Sequence, residues 1–195
     1  LQDIFRARGG PSRYTVNIDV AECVAWMTEE DEGDPSSGLG AELFMVTTQV
    51  RENIDTMFKI CGPSQRGLFA EVLTADEIGL ADKLSVEFWN RVERLTGVPL
   101  ARSVVIGSNG ITDGYAALAG AYAVLIVDRD GVHEDYFRGI WGQTTTRGLP
   151  LVPHDQPLPA GRCFSFIRDY DESLRARLRQ LKSAILGNDQ EVENG

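Results

Sequence analysis

Apolar positions recur along this chain with two periods, and the stretch from Ser103 to Trp141 carries the strongest apolar run together with the densest glycine cluster. Ser103–Ile106 reads as a buried strand, a short continuous apolar run bounded by turn residues. Gly107-Ser108-Asn109-Gly110 interrupts it with residue types that tolerate positive φ. Ile111–Gly120 is short and glycine-rich, which limits it to two or three helical turns. Tyr122–Val127 reads as a second buried strand, Asp130-Gly131 as a hairpin tip, and Val132–Trp141 as an alternating third strand. Upstream, Tyr14, Val16, Ile18 and Val20 alternate with polar neighbours, so Arg13–Val20 is expected to be a half-buried strand; Ala21–Met27 continues apolar and fits a strand or a short helix, with the strand preferred. Ala41–Val50 and Ile54–Cys61 read as β-branched strands joined by Arg51-Glu52-Asn53, with a further strand at Gly67–Leu73. Together they predict an antiparallel meander.

The period changes after Thr74. Thr74 and Glu77 have the spacing of a capping box, and Ile78, Ala81, Leu84, Phe88, Val92 and Leu95 then recur in steps of three and four. Gly97 and Pro99 end that helix. Its stripe, with Trp89 beside it, reads as core. A second amphipathic helix begins in Asp171–Leu186, with Leu174, Leu178, Leu181 and Ile185 on one face and Gly187 as its stop. Between them Gly142–Arg162 has four prolines and no periodicity, the composition of a binding loop or of a wrap across a sheet edge. Cys163–Ile167 reads as a last short strand. The expected fold is a single α+β domain over 13–187. It has a mainly antiparallel sheet, meander plus hairpin, with the Ala75–Thr96 and Asp171–Leu186 helices packed on one face. Residues 1–12 are expected to be a flexible lead-in and 188–195 a polar tail.

Charge narrows the partners. The 195 residues carry 29 acidic and 19 basic side chains, a net charge of −10. A surplus of that sign disfavours nucleic acid and anionic membrane, which require clustered positive charge, and leaves a small molecule or a protein as the expected partner. No run reaches the roughly 18 apolar residues of a membrane-spanning helix, and no basic segment followed by an apolar one opens the chain. The chain begins at Leu1 rather than methionine, as a processed or excised segment does. Cys23, Cys61 and Cys163 are widely spaced and form no Cys-x-x-Cys pair, so a reduced, cytoplasmic setting with packing cysteines is expected. Glu29–Asp34 is an acidic loop without the spacing of a calcium-binding hand, and reads as a solvated connector.

Two places carry candidate chemistry. A strand, a Gly-x-x-Gly turn, a helix and a strand ending in Asp128 outline a phosphate-binding βαβ unit, in which backbone amides and a helix N-terminus hold an anion. Its candidate ligand residues are Gly107, Ser108, Asn109, Gly110 and Asp113. The glycine spacing departs from G-x-G-x-x-G, and no lysine follows as in a Walker motif. The second place is Asp128 with His133 and Asp135. On a strand those last two side chains share a face, so a carboxylate can orient the imidazole for acid–base work. His154, in the proline-rich loop, is the only other histidine and joins the ligand candidates. No catalytic or cofactor signature is complete, and no metal or cofactor is implied. The pattern favours a ligand-binding or regulatory domain. The alternative is a small enzyme that takes a phosphorylated or nucleotide-like substrate at Gly107–Gly110 and uses acid–base residues from 128–135.

Overall fold

The computed structural model describes residues 5–7, 14–16, 18–34, 37–61, 63–80, 82–131, 151–152 and 163–193. The chain divides into two compact units between Asp82 and Lys83. In the first, β1 (Phe5–Ala7) and β2 (Tyr14–Val16) pair antiparallel. The helix α1 (Ile18–Thr28) then takes the segment expected to continue as strand. The reason is periodicity: Val20, Cys23, Val24 and Met27 fall at i, i+3, i+4 and i+7, and all four are buried. β3 is only Phe44–Val46, and α2 (Arg51–Cys61) replaces the second expected meander strand. Ile54, Met57 and Phe58 again mark the buried side of a helix. After the single turn α3 (Pro63–Arg66), β4 (Glu71–Leu73) pairs with β3 in parallel, with Met45 opposite Val72. The expected antiparallel meander is therefore wrong: a helix crossover joins β3 to β4, and such crossovers give parallel pairs.

The long helix expected from Ala75 is two helices. Thr74 and Glu77 form the anticipated capping box at the start of α4 (Ala75–Ile78), and Gly79, at φ 72°, ends it after one turn. The second unit opens with Lys83 and Leu84. Ser85 then caps α5 (Val86–Thr96) by accepting a hydrogen bond from the Phe88 N–H at 3.2 Å, and Gly97 closes it in the left-handed conformation. Phe88, Trp89 and Val92 are buried, whereas Leu84 and Leu95 are exposed, so only part of the anticipated stripe faces the core.

A short 3-10 turn at Leu100–Arg102 leads into β5 (Val104–Gly107), α6 (Gly110–Ala119) and β6 (Ala123–Val127). In these three elements a helix crossover places β5 and β6 in parallel register, Val105 opposite Val124 and Gly107 opposite Ile126. β7 (Leu151–Val152) and β8 (Cys163–Ile167) complete a sheet of order β5-β6-β8-β7 in which every pairing is parallel. Both faces of β6 and β8 are buried, as parallel strands between helical layers require. The helix α7 (Glu172–Glu193) follows, running past Gly187, where the sequence predicts a stop. The predicted strand Val132–Trp141 lies outside the described residues. No helix among the described residues is long and apolar enough to cross a membrane.

Candidate functional site

In open α/β sheets, ligands collect beyond the carboxyl ends of the strands, where loops and helix N-termini converge. In the second unit that end of β5 is the Gly107–Gly110 turn. Asn109, not a glycine, makes the turn work: its side-chain oxygen accepts from the Ile111 N–H at 3.0 Å and the Thr112 N–H at 3.3 Å, capping α6. Asp113, one turn into the helix, returns the favour, its Oδ2 accepting from the Asn109 N–H at 3.2 Å. Gly107 and Gly110 both lie outside the positive-φ set of this chain, so the expectation that they serve left-handed conformations does not hold. Gly107 serves proximity. A Cβ built on it would overlap the Asp113 carboxylate, so the absent side chain is what lets that carboxylate fold back against the strand end.

The other oxygen of Asp113, Oδ1, accepts from Lys83 Nζ at 3.0 Å. The Asp113 side chain is 7% exposed and that of Lys83 19%, so the pair is largely withdrawn from water. Lys83 also lies over the ring of Trp89, with Nζ 5.6 Å from the ring centroid. Packing of α5 against α6 brings these groups together, since Lys83 stands just before the cap of α5 and Asp113 in the first turns of α6. Lys83 was not among the sequence candidates. The spacing of 30 residues between the partners conceals the pair, and the only available signal was that lysine is scarce here, with three in the chain.

Asp128 stands at the carboxyl end of β6, next to β5, and is buried. Its N–H donates to the Ile167 carbonyl at 2.8 Å. Its own carbonyl accepts from Gly131 N–H and from Arg168 Nη1, at 3.3 and 3.2 Å. Gly131, at φ 72°, closes this turn beneath Arg168, and Arg129 pairs with Asp169 at 2.8 Å. So the structure sets Asp113 and Asp128 just past the ends of two adjacent parallel strands. Ser108 is half-buried within the same turn as Asn109. His133, Asp135 and His154 lie outside the described residues.

Burial pushes the Cys163 thiol up to about 11, against a smaller opposing influence of Arg177, so it is a protonated packing group at neutral pH. Cys23 is likewise buried. No three His, Cys, Asp or Glu side chains among the described residues are grouped to hold a metal ion. Asp113 commits one oxygen to an ammonium and the other to an amide, so the positive charge at this strand end is Lys83. The first unit has its own strand ends, where Thr47 and Thr48 follow β3 and Thr74 follows β4. The sequence places Thr47 and Thr48 inside an expected strand and marks Thr74 as a helix cap, not as a site residue.

No protein-family model matches the chain. No curated protein matches it by sequence either. Solved structures do. The L-2-haloacid dehalogenase of Xanthobacter autotrophicus with chloropropionic acid covalently bound superposes at a TM-score of 0.57, with 16% identity over 87% of this chain and 63% of its own. The same enzyme in another structure gives 0.50, with 18% identity over 70% of this chain and 51% of its own. A dehalogenase with an intermediate complex gives 0.55, with 12% identity over 83% and 56%. This chain thus spans between half and two thirds of the length of those proteins. The fold is the parallel α/β fold of the haloacid dehalogenases, which replaces the mainly antiparallel α+β domain expected from the sequence. The structures that share this fold are dehalogenases, which weighs against the expectation of a regulatory or ligand-binding domain without chemistry.

Proposed function

We propose that the protein is a hydrolase acting on a small organic anion, bound beyond the carboxyl ends of β5 and β6. One observation carries the reading: a largely buried Lys83–Asp113 pair at the strand end, anchored by a capped helix and by a glycine that makes room for the carboxylate. Asp113 neutralises and orients the ammonium, and the ammonium is set to hold an anionic group or the charge that develops as a bond breaks. Fixed charges in a water-poor site stabilise such charge without reorganising. Ser108, Asn109 and the flanking glycines form the turn over which the substrate lies. Asp128 supplies a carboxylate from the neighbouring strand, and His133, Asp135 and His154 remain the acid–base and ligand candidates. Chloropropionic acid on one structural neighbour points to a short halogenated acid. The anion-binding outline of β5-α6-β6 points equally to a phosphate ester or a nucleotide. A protonated, buried Cys163 thiol suits a reducing cytoplasm.

The test measures chloride release from chloropropionate, and phosphate release from phosphomonoesters and nucleotides, by the protein and its Lys83→Ala and Asp113→Asn variants. Turnover of one class is expected, lowered about 100- to 1000-fold in Lys83→Ala while the variant still melts cooperatively. No turnover of any class, or turnover indifferent to Lys83, overturns the proposal.

A further inference from the structure

Among the described residues, the Lys83 ammonium meets one carboxylate and one aromatic ring. Asp113 accepts one N–H at 3.0 Å, and the indole of Trp89 presents its ring with the centroid 5.6 Å from Nζ. An ammonium has three donors. A carboxylate and a ring face engage two sides of it, which leaves one N–H that no described residue engages in a side chain 19% exposed. We propose that Trp89 is a positioning residue for Lys83: its ring holds the ammonium in register with Asp113 and turns the remaining N–H toward an anionic substrate. The functional meaning rests on the reading of Lys83 as the anion-holding group, whereas the contact can be tested without it.

Three features of Trp89 support the assignment. First, the distance lies within the roughly 6 Å over which a cation is attracted to an aromatic face. Second, the ring is fixed. Trp89 is 2% exposed and packs edge-on to Phe88, with centroids 5.5 Å apart and planes at 72°, so its quadrupole keeps one direction. Third, the indole N–H is buried with no acceptor among the described residues. A buried donor without a partner is destabilising, and phenylalanine in the same place would avoid that penalty. What tryptophan adds over phenylalanine is a stronger attraction for a cation at its face. The choice of residue is explained by the face and not by the N–H.

The three lysines, Lys59, Lys83 and Lys182, make the test direct, because lysine labelled at Cε gives three NMR signals that Lys59→Arg and Lys182→Arg assign. The Lys83 Cε protons are expected upfield of the other two through the ring current. The displacement should persist in Trp89→Phe and disappear in Trp89→Leu. Competitive acetylation, with Lys59 and Lys182 as internal references, should show Lys83 reacting about threefold faster or more in Trp89→Leu than in wild type. A purely structural role for Trp89 would lower the melting temperature and leave the relative acetylation of Lys83 unchanged. That result overturns the proposal. So does a wild-type Lys83 signal that coincides with those of the other two lysines, a measurement that requires no variant to fold. An upfield Lys83 signal in a protein that hydrolyses nothing would sink the hydrolase reading and support the positioning contact, so the two failures are distinguishable.

Discussion

Gly107 and Asp113 show how one missing side chain shapes this site. The carboxylate occupies the volume where a Cβ at 107 would be, so Gly107→Ala must displace either the strand end or Asp113. Overpacking of this kind destabilises by about 1–3 kcal/mol. A denaturant midpoint for Gly107→Ala within experimental error of wild type would show that the carboxylate moves aside without loss. Asp113→Asn tests the other half of the contact. It keeps the shape and removes the charge, leaving the ammonium short of a counter-ion. The expected loss is about 1.5–3 kcal/mol, the range for hydrogen bonds to charged groups. The loop was legible in the sequence, including Asn109 and Asp113, because cap and turn chemistry is local. What glycine does at 107 was not, since the atom it makes room for lies six residues on, across a turn whose geometry no propensity specifies.

At the scale of elements, β-branched composition misled where periodicity would have served. α1 and α2 hold their buried residues at helical intervals, although the alternation of Tyr14, Val16, Ile18 and Val20 runs into α1 and the isoleucines of α2 favour a strand. β propensity reports fit to a half-buried pleated surface and yields to the hydrophobic period over eleven residues. After Thr74 the opposite holds: one hydrophobic period runs through Gly79 and the Lys83–Ser85 segment, yet the chain breaks there into two helices. Phe88→Ala should therefore cost about 3–5 kcal/mol, because that ring is fully buried. Leu84→Ala should change stability by less than about 0.5 kcal/mol, because Leu84 is 46% exposed and precedes the helix. Paired urea melts of the two variants decide whether α5 presents the face described.

The strand ends of the first unit are tied by Arg51, whose guanidinium reaches the Val72 carbonyl at 2.6 Å and the Glu77 carboxylate. The Arg51 hydrogen bond, ahead of those from Thr74, holds the Glu77 carboxyl below its ordinary value of 4.5. A carboxyl depressed in the folded state adds stability that is complete above the unfolded value and is lost as pH falls through the folded one. The stability difference between wild type and Glu77→Gln should thus be constant at neutral pH and shrink as pH drops below about 4.5. A difference that does not change with pH would show that Glu77 acts here without its charge.

Over the whole molecule, sheet direction was the least legible property, because it depends on which strands meet and not on any one of them. β7 and β8 illustrate this: the chain leaves β6 at Val127, returns at Leu151 for a two-residue edge strand, and only then supplies the central β8. Net charge, in contrast, is legible directly and bears on the proposed substrate. A protein of net charge −10 repels an anion at long range, while the Lys83–Asp113 pair, which is neutral as a unit, attracts it only at short range. Raising salt from about 10 mM to about 150 mM shortens the screening length from about 30 Å to about 8 Å. The long-range repulsion is then screened, and the contact with the withdrawn ammonium is largely kept. For an anionic substrate kcat/KM should therefore rise with salt over this range, by less than about tenfold, with the change residing in KM. A focused positive field at the site would produce the reverse, a fall in kcat/KM as salt increases. Steady-state rates at several salt concentrations separate the two, and a fall would mean that basic groups beyond Lys83, such as Arg129 and Arg168 at the ends of β6 and β8, govern how the substrate arrives.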